Sequence, residues 1–156
     1  MAIAPRLQRF LTDRAVKYDV LAHEPTMSSL GSAHAGHIPE DRLVKGVVLS
    51  DGGSYLMAVL PASHQLRLQD LRMELGERVH LASEEEVEDI FVDCARGAVP
   101  PVGECYGLDV IVDNSLNDHS DFYIEGGDHT TLVHVTRHEF ARLNPRAQHG
   151  SFSVRV

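Results

Sequence analysis

The chain has 156 residues, 43% apolar and 24% charged, a composition ordinary for a soluble globular protein and a length suited to one domain spanning 1–156. Its formal net charge of −9 argues against bulk electrostatic adhesion to nucleic acid. No apolar run approaches the roughly 20 residues of a membrane span, Met1 to Phe10 shows no signal-peptide core, and two lone cysteines, Cys94 and Cys105, fit a reduced cytoplasmic protein better than a disulfide scaffold.

Pro5 to Val16 reads as a helix, with proline in the first turn and Leu7, Phe10 and Leu11 as an apolar stripe. A short strand is expected at Tyr18–Ala22. A short helix capped by Thr26 or Ser28 should run to about Gly36, and Ile38-Pro39 breaks it. Leu43 to Leu49, Leu-Val-Lys-Gly-Val-Val-Leu, has five large aliphatics in seven residues and reads as a strand buried on both faces. Ser50 to Ser54, with Gly52 and Gly53, turns it into a hairpin ended by Pro61. Leu68–Leu75 is a helix stopped by Gly76, and Val79–Leu81 a short strand. Ser83 and Glu86 form a capping box opening a helix whose buried stripe is Val87, Ile90, Phe91 and Cys94. A loop follows at 97–103, then a strand at Leu108–Val112. A turn at Asn114–Asn117 leads to a second hairpin, Asp121–Val135. Thr136 and Glu139 form a second capping box for a helix to Leu143. The tail 146–156 is expected to be loose, with a last strand at Phe152–Val154. Without βαβα alternation, the fold class is α+β with a mixed, largely antiparallel sheet.

Three features carry potential chemistry. Lys45, one of two lysines, sits inside an apolar strand, where it must be paired, reach water or face a cleft. Taken alone, the strand favours an edge lysine reaching water. The loop Gly97-Ala98-Val99-Pro100-Pro101-Val102-Gly103 is rigid, with glycines that permit close backbone approach and amides suited to a developing oxyanion. Gly127-Asp128-His129 stands at a hairpin tip. Ten histidines raise metal binding as a competitor, through convergence of His119, Asp121, Asp128 and His129. However, no zinc spacing or His-Glu-x-x-His motif is present. No serine-hydrolase elbow or phosphate loop is found either. Cys94 reads as a core residue rather than a nucleophile. Arg6, Arg9, Arg14 and Lys17 near the start, and Arg137, Arg142 and Arg146 near the end, would make one positive patch if the termini lie side by side.

In order and spacing, His23-Glu24-Pro25-Thr26, Val44 to Leu49, Gly97 to Gly103 and Gly126 to Thr131 resemble the YbaK/EbsC family. That family includes the prolyl-tRNA synthetase-associated editing domains. The resemblance runs from about Tyr18 to Leu143, so the expected core is about 18–143, with helix 5–16 outside it. It implies a partly barrel-like sheet with surrounding helices and hydrolysis of the ester joining a wrong amino acid to tRNA. It also implies that Lys45, Gly97 and His129 carry the chemistry and that Thr26, Gly46, Ala98, Val99, Pro100, Pro101, Gly127 and Asp128 contact substrate. Gly46, where several members carry a polar residue, and Asp128 depart from the pattern and bear on the specificity class. Since no synthetase catalytic core fits this length, the first reading is a free-standing deacylase editing in trans. It would need no cofactor or metal and would take mischarged tRNA as partner, with help from a synthetase. A non-catalytic module of the same fold binding an aminoacyl ligand is the alternative, and a metal-dependent hydrolase the third. The Lys45 ammonium is expected to open onto a cleft bounded by Gly97 to Pro101 and His129.

Overall fold

The structure, a computed structural model, describes residues 3–25 and 29–156. Its elements in chain order are α1 (Pro5–Asp13), β1 (Asp19–Ala22), α2 (Ser29–Gly36), β2 (Leu43–Asp51), β3 (Ser54–Pro61), β4 (His64–Leu66), α3 (Leu68–Leu75), β5 (Val79–Leu81), α4 (Glu84–Ile90), β6 (Asp109–Asp113), β7 (Asp121–Glu125), β8 (Thr131–Thr136), α5 (Arg137–Leu143), β9 (Gln148–Gly150) and β10 (Ser153–Arg155). Short 3₁₀ turns at Gly103–Tyr106 and Asn114–Asp118 flank β6.

Among the described residues the main sheet runs β1-β8-β7-β2-β3-β6-β9, with β5 also paired to β2. Most neighbours are antiparallel, whereas β2–β7, β3–β6 and β6–β9 are parallel. The fold is thus α+β with a mixed, largely antiparallel sheet, open at β1 and β9 and not closed into a barrel. Leu7 and Leu11 of α1, Val87 of α4 and Leu143 of α5 pack on one sheet face with Val44, Val48, Phe122 and Ile124. On the other face, Leu71 of α3 packs with Leu49 and Leu60, and Ala33 of α2 with Leu43 and Leu132. Covering on both faces explains the near-continuous apolar run of β2.

Several ends differ from the sequence reading. Helix α1 stops at Asp13 rather than Val16 because Ala15 takes a left-handed φ of 51°. Ala15 N then donates to Thr12 O and Val16 N to Leu11 O, closing a Schellman motif over buried Val16 and Leu11. The β2–β3 turn is tighter than the five residues expected. Asp51 pairs with Ser54, and Gly52 (φ 59°) and Gly53 (φ 100°) alone make the turn. Ser83 and Glu86 form the full capping box. The helix they open ends at Ile90, so Phe91 is its cap and Cys94 lies beyond it, half-buried. The box at α5 is only half made. Thr136 accepts from Glu139 N, but the Glu139 carboxylate accepts from Lys17 N (3.3 Å) and Arg142 Nη1 (2.7 Å) instead.

The tail is not loose. β9 pairs with β6, β10 pairs with β4, and Phe152 is fully buried between them. Asp113 ties it down, accepting from Phe152 N at 2.9 Å and Ser153 Oγ at 2.9 Å, and from both N and Oγ of Ser115. No helix among the described residues is long and apolar enough to cross a membrane.

Candidate active site

One edge of β2 pairs with β3 along most of its length. The other edge is shared: β7 pairs at Leu43 and Val44, and β5 at Leu49 to Asp51. Val48 O is taken by Ala82 N at 3.1 Å. Among the described residues this leaves Lys45 to Val47 without a strand neighbour on that edge. A cleft of about 170 Å³ lies there, lined by Lys45, Gly46 and Val48 of β2, by Ala82, Glu84 and Val87, and by Gly97 and Val99 of the loop.

Lys45 is half-buried. Burial alone pushes its ammonium below the usual lysine range. Among the described residues no carboxylate or hydrogen-bond acceptor holds it. Glu84, across the cleft, is instead paired with Arg96 at 2.9 Å.

The loop is fixed from three sides. Pro100 and Pro101 are buried, and Asn144 Nδ2 donates to Pro101 O at 3.0 Å. A Cβ on Gly46 would lie 2.8 Å from Met57 Sδ and 3.2 Å from Pro101 Cα, so only glycine lets the loop sit so close to β2. Gly46→Ala is expected to cost about 1–3 kcal/mol, read as a lower midpoint of denaturant unfolding. At the hairpin tip, Gly127 O accepts from Ala95 N at 2.7 Å, and the His129 ring donates from Nε2 to Arg96 O. These two bonds grip the chain just before Gly97. Gly97 has φ 83°. Among the described residues its amide and that of Val99 have no acceptor, whereas Ala98 N–H is taken by Ala95 O at 3.0 Å.

The placement differs from the expected one at His129. It is buried, has φ 65°, and lies behind the loop instead of lining the cleft. Asp128 closes the tip by accepting from Thr130 N and Thr131 Oγ1, both at 3.0 Å. Gly127, at φ 117°, passes so close to Ala4 that a Cβ would sit 2.9 Å from that side chain. Thr26 lies outside the described residues. The suggested metal ligands are dispersed. Asp121 pairs with His134 and Arg42, and His119 meets Phe122 edge-on. Among the described residues no three such side chains converge. Burial pushes the Cys94 thiol up to about 12 and the Cys105 thiol up to about 11, which leaves both unreactive.

Two polar residues went unremarked in the sequence. Asn144, the C-cap of α5, carries no local signal of its bond to the loop. Glu125 ends the apolar run of β7, and that interruption was its one signal. It is 2% exposed, and burial raises its carboxyl above the usual range despite a hydrogen bond from Ser32 and the nearby His23 and His129 rings. Among the described residues its Oε2 has no donor. In register it lies one step beyond the Val44–Ile124 pair, on the same strand pair as Lys45. Because the folded state holds this proton more tightly, ionisation costs stability as pH rises from about 4.3 through the raised value. Glu125→Gln is therefore expected to gain thermal stability relative to wild type over that rise, by calorimetry.

The model of the aminoacyl-tRNA editing domain family matches residues 23–143. A proline–tRNA ligase of Trichlorobacter lovleyi is 31% identical over 101 residues, 64% of this chain. The chain spans 17% of that relative's length. The crystal structure of a candidate trans-editing enzyme for prolyl tRNA synthetase superposes with a TM-score of 0.84 at 24% identity, covering 97% of this chain and 96% of that one. A hypothetical protein of known structure gives 0.83 at 22% identity, covering 96% and 99%.

Proposed function

Because the chain belongs to the aminoacyl-tRNA editing domain family, we propose that it is a deacylase acting in trans on the ester of a mischarged tRNA. The observation that carries this reading is a partly desolvated lysine, unpaired among the described residues, beside two amides that have no acceptor among them, in one small cleft.

An aminoacyl ester is already activated, so a positioned water suffices. Water attacks the carbonyl carbon, a C–O bond forms, and the π electrons move onto the carbonyl oxygen. The tetrahedral anion expels the ribose oxygen, which takes up the proton released by the attacking water. Free amino acid and tRNA result. Lys45 stabilises the anion by charge, and the Gly97 and Val99 amides by hydrogen bonds, in a site preorganised before substrate arrives. His129, committed to Arg96 O, serves as a positioning residue for Gly97 rather than as a proton relay. A cleft of about 170 Å³ is below the range of drug-sized pockets and suits a small amino acid such as alanine, serine or cysteine.

The test is a deacylation panel of tRNAs mischarged with small and large amino acids. The likeness to part of a proline–tRNA ligase puts tRNA for proline first and makes a synthetase the partner to add. Turnover of a small mischarged amino acid is expected. Saturable binding of aminoacyl ligands with no turnover anywhere in the panel would replace the enzyme by a binding module.

A further inference from the structure

Among the described residues, half of the 14 lysines and arginines of this acidic protein are neutralised. Arg42, Arg67, Arg78, Arg96, Arg142, Arg146 and Arg155 each lie against a carboxylate. Of the others, Lys45 lines the cleft, Arg72 donates to Val79 O, Arg137 opens α5, and the remaining four cluster on and just after α1. From Pro5 to Tyr18 the chain holds four cations and one carboxylate, Asp13. Arg6 is tethered to Cys105 O and lies over the Tyr106 ring. Arg9, Arg14 and Lys17 are exposed, and among the described residues none has a carboxylate partner. The opposite face of α1 is buried through Leu7 and Leu11, which forces these charges outward.

Beside them runs an open groove of about 640 Å³, walled by Pro5, Gln8 and Arg9 of α1 and by Val20 and Ala22 of β1, the terminal strand of the sheet. The groove is joined to the cleft through backbone. Ala4 N donates to Gly126 O at 2.7 Å, and Gly127 O accepts from Ala95 N, two residues before Gly97. At the far end, Arg142 of α5 donates to the Arg14 and Ala15 carbonyls, adding a charge that Glu139 partly offsets. The suggested patch of both termini is thus narrower than expected, because Arg146 is drawn to Glu104.

We infer that the α1 surface of Arg9, Arg14 and Lys17 is a docking site for an RNA phosphate backbone. It holds the acceptor stem while the aminoacyl end occupies the Lys45 cleft. The proposal rests on the deacylase reading for its partner. Three cations with no carboxylate partner among the described residues, clustered on and just after one helix of a protein of charge −9, match a polyanion, which releases counterions on binding. The bulk charge repels RNA elsewhere and leaves this face as the place of approach.

The experiment measures binding of uncharged tRNA by fluorescence anisotropy across a salt series, for wild type, Arg9→Ala/Arg14→Ala/Lys17→Ala and the control Arg67→Ala/Arg78→Ala. Each lost phosphate contact should flatten the log–log salt slope by about 0.7–0.9. The triple variant is therefore expected to lose about two units of slope and at least tenfold in affinity at low salt, with the control near wild type. In deacylation it should raise KM with kcat unchanged. Equal losses in triple variant and control, or none in either, would overturn the surface. If tRNA binding depends on the patch but no ester is cleaved, the deacylase reading fails and the surface stands. Capture of an acidic protein by this face with no tRNA affinity would also overturn it.

Discussion

Lys45→Ala is expected to lower kcat/KM for a mischarged tRNA by about 10²- to 10³-fold, the usual cost of removing one group that stabilises a tetrahedral anion. The loss should fall on kcat, because the charge is needed most when negative charge develops on the carbonyl oxygen. Stability should move the other way or not at all. The ammonium is half-buried and unpaired among the described residues, so its removal relieves a desolvation cost rather than breaking a bond. A merely structural lysine would show the reverse pattern. The pH profile supplies a second readout. Burial lowers the ammonium's pKa, so activity corrected for spontaneous alkaline hydrolysis should fall on a limb below the ordinary lysine value of about 10.4. Full activity of Lys45→Ala, or a profile flat to that value, would remove Lys45 from the mechanism.

Asp113→Ala should have the largest effect on stability, about 3 kcal/mol or more at pH 7. The side chain is 3% exposed and accepts from Phe152 N, Ser153 Oγ, Ser115 N and Ser115 Oγ. Truncation leaves buried donors without an acceptor and frees the segment that brings Phe152 into the core. Burial by itself would raise the Asp113 carboxyl, but these donors outweigh it and hold it below the ordinary value. A depressed folded-state value stabilises the protein above the unfolded value of about 3.9. That contribution is lost as pH falls through the folded one. The stability gap between wild type and variant should therefore be full at neutral pH and shrink in acid, by denaturant unfolding at several pH values. A gap independent of pH would show that the carboxylate's charge plays no part.

Local patterns carried much of this fold. Leu68–Leu75 with its Gly76 stop, the Val79–Leu81 strand and the Ser83 capping box lie where the sequence put them, because each is decided by contacts a few residues apart. The turn at α1 was misread because it depends on Ala15 adopting a left-handed conformation that its side chain disfavours. The last strand lies within one residue of the expected Phe152–Val154, but β9 escaped because it has three residues, too few for a period, and forms only against a partner far away in the chain.

The residues of the candidate site show the same division. Lys45 in an apolar run, the glycine–proline loop and the Gly-Asp-His tip were all conspicuous by composition. Sequence alone thus determined which side chains break the apolar pattern and which loops are rigid, since both follow from residue type and short-range sterics. Only the tertiary structure decided that β7 leaves β2 at Val44 and β5 joins it at Leu49. Parallel and long-range strand pairing depends on chain segments far apart, and no local pattern encodes it. The same pairing turns a lysine in a strand into a lysine in a cleft. It also sets His129 behind the loop, through a bond to Arg96 across 33 residues.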